Sequence, residues 1–440
     1  MPPMMSVVTA VRDLGRLREI TSVLVRHGFG EIVSRAGFGR ARRRPEGRPS
    51  AVPESVLGEA TPEIDTADEE RGEAERQAIS LEERVRLVLQ DLGPTFIKLG
   101  QIASTRPDVL PAKLIVELKK LQDEVPPVPS ADIRRVIETN LGLAVPELYA
   151  SFDDKPLATA SIGQVHRAAI TTADGVQPVV VKVQRPGVGE TVARDLELLH
   201  LMAAAVERAI PETKIYSPVS LVQEFDRSIT AELNYLLEAE SVERFARNFH
   251  GVPNVAFPRV YRQLTSKQVL TMEYFEGVKV DRATSAGYDG SIIAKKSIAL
   301  IIKMVFEDGF FHADPHPGNI IIMGPKEDPI IGLIDLGMVG RLSPDLRDRT
   351  IDLLLAASRK DSYAVADALY AIGRPTRKFD MRAYRADIGV LAEKYIGRSM
   401  KEIEATAMFR DIVDGAVKYG IEVPPEFMMV AKSLMTIKGI

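Results

Sequence analysis

HADPHPGN, residues 312–319, lies between the apolar run IALIIKMVFEDGFF at 298–311 and a second one, NIIIM at 319–323. Asp314 stands two residues after His312, and Asn319 stands five after Asp314. Ten residues on, PIIGLIDLG at 329–337 carries Asp335 at the end of a strand pattern, two residues before Gly337. A loop flanked by apolar strands rarely holds so many polar side chains idly, because polar groups cost free energy on burial unless they are partnered.

The spacing fits phosphate chemistry. A carboxylate orients a nucleophile, while an amide oxygen and a second carboxylate hold a hard cation against phosphates. This is the protein-kinase layout of a His-x-Asp loop, an Asn five residues later and a following Asp-x-Gly. Two other readings compete. His312, Asp314 and His316 suit a metal-hydrolase cluster, but the remaining histidines (His27, His166, His200, His250) form no second cluster, and Asn319 and Asp335 are left without a role. The other is a polar loop with no chemistry.

Lys182 sits inside VVVKV at 179–183, where a buried cation needs a partner. Kinase-like folds place such a lysine on the third strand against phosphates and a helix glutamate. The helical stretch AELNYLLEAE at 231–240 offers Glu232, Glu238 and Glu240. Upstream, LATASIGQVHRA at 157–168 stands where a phosphate-binding loop belongs, with Gly163 as its single glycine. Backbone amides still approach phosphate past Ala and Ser, though less freely than past Gly.

Together KLGQ (98–101), ATASIGQVH (158–166), VVVKVQRPG (179–187), AELNYLLEAE (231–240), HADPHPGN (312–319) and DLG (335–337) resemble the UbiB/AarF family of atypical kinases and ATPases. The likeness runs from about residue 90 onward. It implies an α+β, bilobal protein-kinase-like fold with a helical N-terminal extension. It also implies magnesium-dependent ATP binding, with hydrolysis or transfer to a small molecule or lipid, in support of isoprenoid-quinone (ubiquinone) biosynthesis. By the same resemblance, Lys182 pairs with Glu238, Asp314 is the catalytic-loop carboxylate, and Asn319 and Asp335 are magnesium ligands. Ala160, Ser161, Ile162, Gly163, Gln164 and Val165 form the cofactor-binding loop, with Glu273 and Tyr274 as further cofactor contacts. Lys98, Gln101 and Glu232 are regulatory, Lys98 reaching the active site near Glu232. Leu336 replaces the usual Phe and keeps an apolar plug. Past Asp335 the chain enters a helical pattern at once, with no peptide-holding loop and no Ala-Pro-Glu, which counts against a protein substrate. The competing function is a nucleotide-sensing scaffold with negligible turnover that binds a lipid or a protein partner.

The rest of the chain bounds this reading. A 440-residue chain with 45% hydrophobic residues has enough material for two or three domains or one large bilobal unit. A net charge of −4 gives no global sign of nucleic acid, and the absence of cysteine removes disulfides and thiolate sites. No long apolar run and no leader pattern are visible, so the expected location is cytoplasmic, with peripheral membrane contact and quinone-pathway proteins as partners to consider. The expected organisation is an amphipathic helix at 1–40 and a charged linker at 41–79. A helical extension at 80–147, an N-lobe at 148–276 and a C-lobe at 277–440 follow. The pattern is still helical at SLMTIKGI, 433–440, which predicts further chain beyond it. Residues 6–36 read as one Arg-decorated helix, suited to packing or to a membrane surface.

Overall fold

The computed structural model describes residues 7–35, 79–104, 110–121, 125–210, 218–395, 411–412, 414–416 and 418–437. The predicted linker at 41–79 falls almost wholly outside them. The chain groups into two compact units, 1–124 with 189–227 and 125–188 with 228–440. Residues 189–227 thus leave the contiguous stretch expected for the N-lobe.

The first unit is helical. The expected single helix at 6–36 is two helices, Val7–Arg26 and Gly30–Arg35, separated at Gly28, whose φ is +81°. That left-handed conformation suits glycine and ends the first helix. Ile20 and Val23 are buried, and Arg16 donates to the buried Asp195 at 2.8 Å and to Leu92 O at 2.8 Å. Arg16, half-buried, is therefore engaged within this unit. Ser80 caps Leu81–Leu92 by accepting from Glu83 N at 3.2 Å, as its Ser-x-x-Glu pattern predicts. Pro94–Ala103 packs beside this helix and Ala112–Leu118. The long helix Val188–Ala209, absent from the sequence reading, also joins here after its first residue. Its Ala-rich second half gives little polar contrast along the helix.

In the second unit, β1 (Ser151–Phe152), β2 (Ala158–Thr159), β3 (Gly163–Thr172) and β4 (Gly175–Gln184) begin an antiparallel sheet. β5 (Val255–Ala256) belongs to a later sheet, and β6 (Val269–Glu273) completes the first one against β4. The stretch 255–275, read as strand, is thus two strands around the short helical turn Arg262–Leu264. β4 alternates cleanly. Val179, Val181 and Val183 are fully buried against Ile133 and Ile137 of the helix Ser130–Leu141, so Val180 and Lys182 take the opposite face.

The next strands are β7 (Val278–Lys279), β8 (Phe310–His312), β9 (Ile320–Met323), β10 (Ile330–Leu333) and β11 (Val339–Arg341). With β5 they form one sheet in the order β5-β10-β9-β7 and a β11-β8 pair. The helix Gly290–Ile302 runs into a single π-turn, Lys303–Glu307, just before β8. Such turns are local irregularities that recur near functional sites. Beyond Pro344 the chain is not wholly helical: β12 (Arg374–Pro375) pairs with β13 (Ile421–Glu422). The last described helix is Pro425–Ile437. Among the described residues no helix is long and apolar enough to cross a membrane.

Candidate active site

β4 holds Lys182 at the centre of the first sheet, paired in register with Val165 on one side and Leu270 on the other. The helix Tyr235–Asn248, capped by Asn234 Oδ1 accepting from Leu236 N, lies over that face. Lys182 Nζ donates to both oxygens of Glu238, at 3.0 and 2.8 Å, and to Asp335 Oδ1 at 3.3 Å. It also sits 5.2 Å from the centre of the Tyr235 ring. Glu238 is 5% exposed, whereas Glu240 lies on the exposed side of the same helix. Breaking such a buried pair from one side typically costs about 3–5 kcal/mol.

Glu232 and Glu238 do not share a helix. The first helix ends at Glu232, Leu233 and Asn234 break the run, and a new helix starts at Tyr235. Burial works against the Lys182 ammonium, but Asp335 and Glu238 outweigh it and hold its pKa well above the usual lysine range. Burial, with repulsion from Asp335, pushes Glu238 up to about 7 despite the opposing pull of Lys182.

The second half of the site hangs on β8 and β10. Asp335 has φ +58°, a left-handed conformation uncommon for a residue with a side chain and frequent at functional sites. Leu336 is fully buried in the main core, as the apolar-plug reading expects. Ile334 N donates to Asn319 O at 2.9 Å, tying Asn319 to the residue before Asp335. Asn319 Nδ2 donates to Asp314 O at 3.5 Å, so its side-chain carbonyl is the oxygen it has to offer a cation.

The two histidines of the loop do structural work. His312 lies 3.2 Å from Met338 O through Nδ1, which places the proton there, while the buried Nε2 has no partner. Burial lowers its pKa and keeps the ring neutral. His316 Nδ1 accepts from Gly318 N at 3.1 Å and caps the turn Pro317–Asn319. Among the described residues no three His, Cys, Asp or Glu side chains gather as a metal set, so His312, Asp314 and His316 do not form the hydrolase cluster weighed above.

The phosphate-loop segment is a tight β2–β3 hairpin. Ala160 N donates to Gly163 O at 2.8 Å. Arg185 draws the hairpin in, its Nε donating to Ala160 O at 2.8 Å and its main-chain N to Ile162 O at 2.8 Å. A Cβ on Gly163 would stand 2.5 Å from Tyr235 Oη and 2.8 Å from Val183 O, so glycine is required there for close approach. Ser161 is buried, and its Oγ has no hydrogen-bond partner. Gln164 is fully buried, its amide spent on His166 Nε2 at 3.2 Å and on Val128 N. Its side chain is therefore a sheet anchor rather than an exposed cofactor contact, whereas Val165 is half-buried.

Glu273 and Tyr274 leave β6 with their N–H groups already used, by Arg259 O at 2.8 Å and Pro178 O at 3.2 Å. Arg167 covers the Tyr274 ring at 4.7 Å.

In the first unit, Lys98 is half-buried on Pro94–Ala103, and Gln101 Nε2 donates to Leu121 O at 3.4 Å. Gly100 lets this helix pack: a Cβ there would fall 2.8 Å from Leu89 Cδ1.

One acidic contact was invisible in sequence. Lys432, on the helix Pro425–Ile437, lies 3.1 Å from Asp314 Oδ1. A lysine in FMMVAKSLM reads as the solvent side of an apolar helix, so nothing local marks it.

The family model of the ABC1 atypical kinase-like domain matches residues 120–369, and that of the UbiB helical domain matches 388–440. The probable protein kinase UbiB of Marinobacter nauticus is 37% identical over 366 residues, covering 82% of this chain and 66% of that protein. The protein of the same name from Pseudomonas fluorescens is 37% identical over 362 residues, 81% of this chain and 67% of that one. An uncharacterized protein of Synechocystis is 35% identical over 81% of this chain and 60% of its own length. The chain thus spans about two thirds of the length of these relatives. A solved Mycobacterium tuberculosis structure, Rv3197 with erythromycin, superposes at TM-score 0.48 with 24% identity over 82% of this chain and 97% of that one. By the length of the domain match and the identity to its relatives, this chain belongs to the ABC1 atypical kinase-like family.

Proposed function

We propose that this chain is a magnesium-dependent ATP-binding enzyme. It hydrolyses ATP or transfers its γ-phosphoryl group to a small molecule or lipid, in support of isoprenoid-quinone metabolism. The observation that carries the reading is the bridging position of Lys182, bonded to Glu238 at 2.8 Å and to Asp335 at 3.3 Å. A half-buried lysine between two carboxylates has cause to be there if it also meets phosphate.

The residues fit Mg-ATP. Asp335 and Asn319 offer hard oxygen donors, which suit magnesium. The orphaned Ser161 Oγ and the hairpin pressed close by Gly163 suit phosphate oxygens. Bound Mg-ATP supplies a transferable phosphoryl group and a cation that offsets its charge. Asp314 orients the attacking oxygen and takes its proton, and Lys182 neutralises phosphate charge.

The relatives' names speak of a protein kinase, but a small acceptor fits better here. Only eight residues separate Asp335 from the helix Pro344–Ser358, and three of them form β11. Little chain remains to hold a peptide. Lys98, Gln101 and Glu232 are regulatory in this reading.

The test is Mg-ATP binding and turnover, with and without vesicles carrying a phenolic lipid, for the wild type and Asp335→Asn. Turnover that vesicles stimulate supports the reading. Tight binding with no turnover under either condition leaves a nucleotide-sensing scaffold instead.

A further inference from the structure

Asp314 is anchored through its backbone by its own loop, since His316 N donates to its carbonyl at 2.8 Å. Its side chain is held differently. The carboxylate, about one-third exposed, meets Lys432 Nζ at 3.1 Å, from a helix more than a hundred residues downstream. The loop itself has no competing cation: between Asp314 and Asn319 it reads PHPG, and His316 is occupied as a turn cap.

The helix that brings Lys432 is registered firmly. Val430 is 1% exposed and joins the core formed by Phe310, Phe311 and Leu336. Ser433 is fully buried, its Oγ 2.9 Å from His312 O and 3.0 Å from Met429 O. Two consecutive residues of one helix therefore grip both ends of His312–Ala313–Asp314, one by the main chain and one by the carboxylate. A cation on a flexible stem is set beside a carboxylate whose orientation decides whether it can accept a proton.

We propose that Lys432 is a positioning residue for phosphoryl transfer, acting through Asp314. This rests on the function proposed above. In that step the bond from the γ-phosphorus to the bridging oxygen breaks and ADP leaves with the electron pair. A bond forms from phosphorus to the oxygen of water or an acceptor hydroxyl, and the proton of that oxygen passes to Asp314. Lys432 holds the Asp314 carboxylate in one orientation and offsets its charge against the anionic phosphoryl group, a preorganised charge of the kind that favours transition states. The helical region downstream of the kinase-like domain is thereby part of the site.

The experiment compares Lys432→Ala, Lys432→Arg, Asp314→Asn and the double variant Asp314→Asn/Lys432→Ala in the full chain. It measures kcat and KM for ATP turnover, the Kd for Mg-ATP and the melting temperature. Lys432→Ala is expected to lower kcat roughly tenfold to a hundredfold while the Kd stays within about threefold, the split that marks a step beyond binding. Lys432→Arg restores most of kcat. In the double variant the alanine adds no further loss to Asp314→Asn, because both act through one group.

Four results overturn the proposal. They are turnover in Lys432→Ala equal to or faster than wild type; additive losses in the double variant; an equal fall in affinity and melting temperature that arginine does not repair; and a wild type that binds Mg-ATP without turning it over. The last also ends the enzymatic reading, whereas an active wild type beside an equally active Lys432→Ala ends this inference alone.

Discussion

The proposed catalytic loop at 312–319 and the proposed phosphate hairpin at 158–165 are equally short and are built in different ways. The loop adds side-chain bonds to its main-chain ones: His312 on Met338 O, His316 on Gly318 N, and Asn319 on Asp314 O. The hairpin is fixed by main-chain bonds, by Arg185 reaching back to Ala160 O, and by the missing side chain of Gly163. Side-chain construction demands particular residue types at particular spacings and so leaves a strong mark in sequence. Main-chain construction tolerates many residues and leaves a weak one. The same contrast predicts how each region fails: the loop by losing a functional atom, the hairpin by losing fit.

The largest effect is expected from the loop side. Asp335→Asn removes charge and ligand strength together and is expected to weaken Mg-dependent nucleotide binding by roughly a hundredfold or more. Titration of ATP with and without magnesium measures this. Affinity as tight as wild type, in magnesium, would remove Asp335 from the metal site and leave its left-handed backbone without a functional reason.

How much of this was legible follows from the same distinction. Asp314, Asn319, Asp335 and Lys182 stood out because polar groups inside apolar strands need a reason. The choice of Glu238 came from resemblance, since Glu232, Glu238 and Glu240 look alike on one presumed helix. Burial separates them, and the break at Leu233–Asn234 has no strong local signal beyond the capping capacity of Asn234. Long-range pairs were out of reach. Arg16 meets Asp195 across 179 residues, and Lys432 meets Asp314 across more than a hundred, so no local period records either. The tight contact of Gly163 with Tyr235 was equally hidden, because it depends on where a distant helix lies over the sheet.

Next in size is a fit defect. Gly163→Ala puts a methyl group 2.5 Å from Tyr235 Oη and 2.8 Å from a strand carbonyl that cannot easily withdraw. Overpacking of this kind costs about 1–3 kcal/mol. The variant is expected to melt at lower temperature and to bind nucleotide more weakly, since the displaced Tyr235 ring lies against Lys182. Thermal unfolding with and without Mg-ATP checks both. An unchanged melting temperature would mean that the hairpin yields freely and is not built on close fit.

Acidity acts on the ion pair outside both regions. The Lys182–Glu238 pair needs an ionised carboxylate, and Glu238 is pushed up to about 7. As pH falls from 8 to 6, Glu238 takes up a proton, and Mg-ATP affinity is expected to drop by roughly tenfold. Stability moves the other way. A carboxyl raised from 4.5 to about 7 binds its proton more tightly in the folded state. Its contribution is therefore fully present below about 4.5 and is lost as pH rises through about 7. Glu238→Gln is expected to flatten both trends between pH 6 and 8. Binding and melting curves across that range measure them, and a wild-type binding curve as flat as that of the variant would detach Glu238 from the nucleotide.

The smallest effect is expected at the exposed tip of the hairpin. Ala160 donates its N–H to Gly163 O, and its carbonyl accepts from Arg185, so both its backbone groups are engaged within the protein. For these amides to turn toward phosphate, the tip has to open. Ala160→Gly eases that opening by widening the accessible backbone conformations, at a folding cost of about 0.5–1 kcal/mol. The expected outcome is a slight fall in melting temperature, with a shift of no more than roughly tenfold in ATP or ADP affinity or in the ratio between them. Titrations of both nucleotides against wild type and variant check this. A changed ratio means that the tip touches the phosphates that distinguish ATP from ADP. Identical affinities for both would count against a role for this hairpin in nucleotide binding.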